Sequence, residues 1–146
     1  MKPFPEHLDA KRIEQAIAAA ERLSSGELRV VIQRGSVADP VTTARNEFAR
    51  LEMFRTRERN AVLILVAPES RKFAIFGDEA IHAKCGQPFW DEVAAAMAHS
   101  FRESKFTDGL VHAIEHAGKL LAKHFPRRPD DKNELPDNVI DRGTVI

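Results

Sequence analysis

A single cysteine, Cys85, rules out an internal disulfide. Lys and Arg total 22 and Asp and Glu total 22, so no net charge draws the chain to nucleic acid or to anionic lipid. The longest apolar run, Ala61 to Ala67, is far too short to span a bilayer, and the N-terminal MKPFPEHLDAKR lacks the apolar stretch of a signal peptide. These absences together predict no membrane span, no nucleic-acid partner and a cytoplasmic location. There is no internal repeat and no low-complexity segment. P-loop, dinucleotide glycine fingerprint, G-x-S-x-G and EF-hand loop are all missing, which closes the commonest routes to a catalytic assignment.

What is present is an ordinary globular composition, 43% hydrophobic and 30% charged over 146 residues, enough for one domain with a real core. Ile13, Ala16, Ile17 and Ala20 share a helical face within Asp9 to Ser24, while Lys11, Arg12, Glu14 and Glu21 lie off it. ELRVVIQR, residues 27–34, is β-branched and reads as a strand. Asp39-Pro40 starts a helix with a capping side chain followed by proline, and the stripe Val41, Ala44, Phe48, Leu51 carries it to about Thr56. AVLILVA, residues 61–67, reads as a strand covered on both faces. A tight turn at 68–71 returns the chain as the antiparallel strand 72–76. Helices follow at about 88–102, with Phe89, Val93, Met97 and Phe101, and at about 108–124, with Leu110, Ile114, Ala117 and Leu121. Thr107 and Asp108 are candidate caps.

Strand, crossover helix and strand predict a parallel pair. The expected fold is a three-layer α/β/α sandwich, a small mixed sheet flanked by helices, formed by residues 1–126 as one domain. Residues 127–146, with two prolines and a third just before them at Pro126, and with no period, read as an extended tail or as a strap over the domain.

In that topology the third strand ends where the other two begin. Gly77-Asp78-Glu79 reads as a charged turn leaving the sheet beside Gly26-Glu27 and Arg59-Asn60. Glu27, Asp78 and Glu79 then converge on one rim as oxygen ligands for a hard cation, calcium or magnesium. Arg59 and Asn60 are the candidate substrate-binding pair, Arg59 neutralising the acids or holding a phosphate. Asp108 is carried as a fourth candidate metal ligand. The plainer alternative is a solvated turn with surface ion pairs.

Other constellations read as surface or core. His112 and His116 spell H-x-x-E-H with Glu115 but face away from the apolar stripe, so they are expected to be solvated rather than to hold zinc. Cys85 reads as a packed thiol, with no histidine placed as its base. Arg55, Arg57 and Arg59 alternate before the second strand, and pairing with Glu52 or Glu58 is preferred to nucleic-acid binding.

SSGELRVVI at 24–32, RTRERNAVLILVA at 55–67, RKFAIFGDEAI at 71–81, Phe89-Trp90 and KFTDGL at 105–110 together resemble the TPM domain family. That family includes thylakoid lumen proteins linked to photosystem II repair and many bacterial proteins. HFP at 124–126 with NELPDNVI at 133–140 looks like its short, soluble, intracellular branch. The resemblance implies an α/β/α sandwich around a mixed sheet, divalent-cation binding, and the phosphatase activity described for a plant relative. Many relatives carry an export signal and a membrane anchor, for which this chain shows no pattern. Long-form relatives read Gly-x-Gly-x-Glu after the third strand, whereas here Ile81 stands where that glutamate falls. Two functions follow as expectations: a domain binding calcium or magnesium at the rim, extended to a metal-assisted phosphatase, or a non-catalytic module docking a protein partner with NELPDNVI as a strap. The oligomeric state is not fixed by any of these features.

Overall fold

The computed structural model of the protein describes residues 8–102, 105–127 and 139–142. Helix α1, Ala10–Glu21, is N-capped by Asp9, whose Oδ1 accepts from the Arg12 N–H. Strand β1, Glu27–Gln33, leads through helix α2, Pro40–Arg50, to strand β2, Ala61–Ala67. Strand β3, Lys72–Gly77, is followed by helices α3, Glu79–Arg102, and α4, Phe106–His124, and by a short strand β4, Ile140–Arg142. The strands lie in the order β3-β2-β1-β4. β1 runs parallel to β2 and to β4, and β3 runs antiparallel to β2.

All seven residues of β2 are buried because both faces of the sheet are covered. Val62, Ile64 and Val66 join Leu28 and Val30 under α1, α3 and α4, in a core that includes Ile13, Ile17, Phe89, Val93, Leu110 and Ile114. On the opposite face Ala61, Leu63, Leu65 and Val31 pack against Ala44 and Phe48 of α2 and against Met53. The alternation of a strand sorts its side chains into these two cores. The result is the expected three-layer sandwich.

Four local features depart from the sequence reading. α2 stops at Arg50 rather than near Thr56, because Glu52 takes a left-handed backbone (φ 56°) that drops Met53 into the core within a short 3-10 turn, Met53–Arg55. Gly77-Asp78-Glu79 is not a plain turn, since Glu79 already opens α3. That helix breaks at Gly86 (φ 70°, ψ −169°), and Pro88 lies in the second segment, where the sequence alone placed a helix start. The first segment was hidden because Ile81 is its only fully buried apolar residue, too little for a periodic signal. Glu21, read as off the buried face, is itself buried, because at the end of α1 it reaches the start of β1 and accepts from the Leu28 N–H at 2.8 Å. Finally, Ile140–Arg142 adds a fourth strand beside β1, so the end of the chain is partly sheet rather than only a tail. Most of the proposed strap, residues 133–138, lies outside the described residues, as do residues 1–7 and the Phe101 side chain. No helix among the described residues is long and apolar enough to cross a membrane.

Two close approaches fix the helices on the sheet. A Cβ on Gly77 would lie 2.4 Å from Cη2 of Trp90, so the indole of α3 rests directly on the end of β3. A Cβ on Gly118 would lie 2.7 Å from that of Ala20, which sets the spacing of α1 and α4.

Candidate functional site

The register assembles the rim. Glu27 lies opposite Ala61, and Gly77 lies opposite Val62. Asp78, the next residue along, therefore comes level with Ala61 and donates its N–H to the Ala61 carbonyl at 3.0 Å. Glu27 donates its N–H to the Asn60 carbonyl, and Ala80 donates to the Arg59 carbonyl at 3.1 Å. Glu27, Arg59, Asn60, Asp78 and Glu79 thus share one end of the sheet.

Asp78 is the best-anchored of them. Its side chain is 6% exposed and receives both arms of the Arg59 guanidinium, Nε to Oδ2 at 2.8 Å and Nη2 to Oδ1 at 2.9 Å. The Glu79 N–H also donates to Oδ1, at 2.8 Å, and the Asp78 carbonyl accepts from the Ile81 N–H at 3.0 Å, so Asp78 anchors the start of α3. Arg59 reaches this position from a left-handed backbone (φ 53°) and stays 42% exposed. Hydrogen bonding to Asp78 holds the Arg59 pKa above its ordinary value, against the opposing effect of desolvation. The guanidinium also approaches Glu79, Nη1 to Oε1 at 3.5 Å, but that carboxylate is 71% exposed.

Behind this pair lies a layer of buried polar groups. Asn60 is fully buried, donates from Nδ2 to Ser25 Oγ at 3.1 Å and from its backbone N–H to Thr56 Oγ1 at 3.3 Å. Its Oδ1 has no hydrogen-bond partner among the described residues. Ser24 Oγ accepts from the Gly26 N–H, and the Ser25 N–H donates to the Phe125 carbonyl at 2.8 Å. Glu27 is buried, and strand alternation puts it on the face of Val31. The sequence reading missed Glu21, Ser24, Ser25 and Thr56 as members of this layer. The signal that could have found them is two serines and a glycine wedged between a helix end and a strand start, where small polar side chains cap backbone groups.

Asp108 is not brought to the rim. It sits in the first turn of α4 and pairs with Arg12 at 2.7 Å, while Leu121, the α4 residue that packs on Gly26, lies about 20 Å further along the helix. Among the described residues no three His, Cys, Asp or Glu side chains converge as a metal cage. His112 is exposed, and His116 Nε2 lies 3.3 Å from Glu92 Oε2 on the α3–α4 surface. Cys85 is half-buried against the larger core, and burial pushes its thiol pKa up although Lys84 works the other way. Arg55 pairs with Glu52 at 2.8 Å on the surface.

The rim offers anionic and amide oxygens, with a guanidinium already seated on the best carboxylate. Such a set can take a hard cation, or lend Arg59 to an oxyanion.

Comparison with known proteins agrees with this layout. The chain is similar to the BA42 protein of the psychrophilic bacterium Bizionia argentinensis, solved by NMR, at 39% identity and a TM-score of 0.87, covering 93% of this chain and 96% of that one. Two more distant NMR structures show the same fold. The N-terminal domain of the cg2496 protein from Corynebacterium glutamicum has 16% identity and a TM-score of 0.64, over 80% of this chain and 75% of that one. The N-terminal domain of a P. gingivalis protein has 13% identity and a TM-score of 0.64, over 84% and 83%. No curated protein matches the chain. Residues 6–120 match the TPM domain, and the chain belongs to the TPM domain family.

Proposed function

We propose that the chain binds a divalent cation, calcium or magnesium, at this rim, through the carboxylates of Asp78 and Glu79. Glu27 and Asn60 stand behind them as further oxygen donors. The observation that carries the reading is the Asn60 Oδ1, a buried acceptor without a partner among the described residues, between Arg59 and Ala61, whose carbonyls accept from the backbone at Ala80 and Asp78. Leaving such an acceptor unsatisfied costs about 1–3 kcal/mol, a cost a ligand at the site would offset. The donor chemistry fits a hard cation, since every candidate ligand offers oxygen.

Arg59 sets the terms of that binding. Its guanidinium holds both Asp78 oxygens, so a metal ion must compete with it. Magnesium is commonly held by one or two carboxylates together with phosphate oxygens. A guanidinium displaced from Asp78 offers its planar fork to such a phosphate. When bound, the cation would supply Lewis-acid polarisation of a phosphoryl oxygen and a more acidic water, the chemistry of phosphoester hydrolysis. Cation binding is the primary reading, and phosphatase activity is its extension.

The test uses titration of the chain with calcium and with magnesium, followed residue by residue by NMR. Asp78→Asn should weaken binding about ten-fold or more, equal to about 1.4 kcal/mol. Arg59→Gln should tighten cation binding by removing the competitor, yet lower magnesium-dependent hydrolysis of a small phosphomonoester. Unchanged affinity in Asp78→Asn would take the site away from the rim. Weaker cation binding in Arg59→Gln would show that the guanidinium supports the metal site instead of competing for it.

A further inference from the structure

The two edges of the sheet are not alike. β4 ends one side with three residues, too short to template another strand. β3 ends the other with six residues in unbroken register with β2, no bulge, no proline, and no charge from Phe73 through Gly77. These are the safeguards that soluble proteins usually place on an edge, and β3 has none of them within that run. Among the described residues no strand pairs with its outer side.

The backbone polarity of this edge follows from one bond. The Asp78 N–H points inward to the Ala61 carbonyl. In an antiparallel ladder inward and outward residues alternate strictly, so Ile75 and Gly77 turn their N–H and C=O groups outward. The strand is flanked by α2, whose Phe48 packs on Phe76, and by α3, whose Trp90 lies over Gly77. A groove of about 390 Å³ runs along it, lined by Val41 and Arg45 of α2, by Ile75 and Phe76, and by His82 and Trp90 of α3.

We propose that this edge pairs with the same edge of a second copy of the chain, antiparallel about a two-fold axis through Ile75. The segment RKFAIFGDE, residues 71–79, is basic at its start, apolar in the middle and acidic at its end. Reversed against itself, it sets its basic end beside its acidic end and its apolar residues against one another. Ile75 meets Ile75, and the two residues exchange both outward N–H and C=O groups. Ala74 meets Phe76, small against large. Phe73 meets Gly77, where the ring can reach Trp90, which lies over that glycine. Past the ends of the ladder, Arg71 in the turn before β3 (φ 53°) of one copy comes beside Glu79, where α3 opens in the other. Arg71 and Glu79 are both exposed, so this outermost pair forms without breaking a buried contact. A slip by two residues would set Arg71 against Gly77 and lose every charge match. Parallel pairing would set Lys72 beside Lys72. The sequence therefore selects one register and one orientation, and the occupant it selects is this chain rather than an unrelated peptide.

Sedimentation velocity on the full chain from about 10 µM to about 1 mM tests the pairing. A concentration-dependent monomer–dimer equilibrium is expected. Arg71→Glu sets acid against Glu79 at both ends of the ladder and should weaken the dimer about ten-fold. The double variant Arg71→Glu, Glu79→Arg should restore it. Ile75→Pro removes an outward N–H while leaving the inward bonds to β2, and should abolish it. A chain that stays monomeric over the whole range would overturn the proposal. So would a dimer indifferent to Arg71→Glu, or one that the double variant fails to restore. Should Ile75→Pro not fold, the charge-exchange pair alone decides the matter.

Discussion

The two ends of the sheet are built on opposite principles. At the rim where β1 and β2 begin and β3 ends, polar groups are buried. Apart from Arg29 and Ser100, all the buried polar residues described lie there or in the loops that frame it: Glu21, Ser24, Ser25, Glu27, Thr56, Asn60 and Asp78. At the other end the loops are held by partly or fully exposed bonds. The Gly35 N–H donates to Glu69 Oε1 at 3.0 Å, the Val37 N–H to Ser70 Oγ at 2.7 Å, and Lys72 Nζ to the Ala38 carbonyl at 2.9 Å. A loop that only joins strands needs no more than the second arrangement. Burying polar side chains costs free energy unless they are fully satisfied, and Asn60 Oδ1 has no partner among the described residues.

Glycine substitutions separate the ends most strongly. Gly77→Ala forces a methyl into the Trp90 indole at the rim and should cost about 3 kcal/mol, read as a lowered melting temperature and a shifted emission of the single tryptophan. Gly35→Ala, at the other end, meets nothing within 4 Å and pays only for its left-handed backbone (φ 82°), about 1 kcal/mol in the same melts. Equal losses would erase the contrast between a packed rim and an open loop. Side-chain truncations come next. Asp78→Ala removes the carboxylate that holds Arg59 and the Glu79 N–H and should cost about 1–2 kcal/mol without any metal, so the acid is structural as well as a candidate ligand. Ser70→Ala deletes one partly exposed bond and should cost about 0.5–1 kcal/mol by denaturant titration.

Cys85 should react slowly with a thiol-specific reagent at neutral pH compared with an unfolded chain, because burial raises its pKa and lowers the thiolate fraction. A faster reaction would reopen a catalytic thiol near the rim.

The smallest effect is expected from Asp39, which caps α2 at the loop end. Hydrogen bonding from Thr42 depresses its pKa in the folded state. Its contribution is therefore complete above the ordinary carboxylate range and is lost as pH falls through the depressed folded value. The amide signals of Val41 and Thr42 should shift through that acid window, and Asp39→Asn should remove the dependence. An upward-shifted titration would reverse the sign.

Most of the architecture was legible along the chain, because β2 and the helix stripes express their burial as local patterns of hydrophobicity. Asp39-Pro40 marked the start of α2, and AVLILVA marked a strand covered on both faces, each by chemistry confined to a few neighbouring residues. The sequence also determined that Glu27, Arg59, Asn60, Asp78 and Glu79 share a rim, since strand order and direction alone bring them level. What it did not determine was who holds whom. That Arg59 clamps Asp78, that Glu21 turns inward to Leu28, and that Asp108 pairs with Arg12 at the far end of α4 depend on side-chain directions and helix positions set by packing between distant segments. The first turns of α3 and the three residues of β4 stayed hidden for the same reason. Neither segment is long enough to carry a period, and each is stabilised by the sheet it joins rather than by its own sequence.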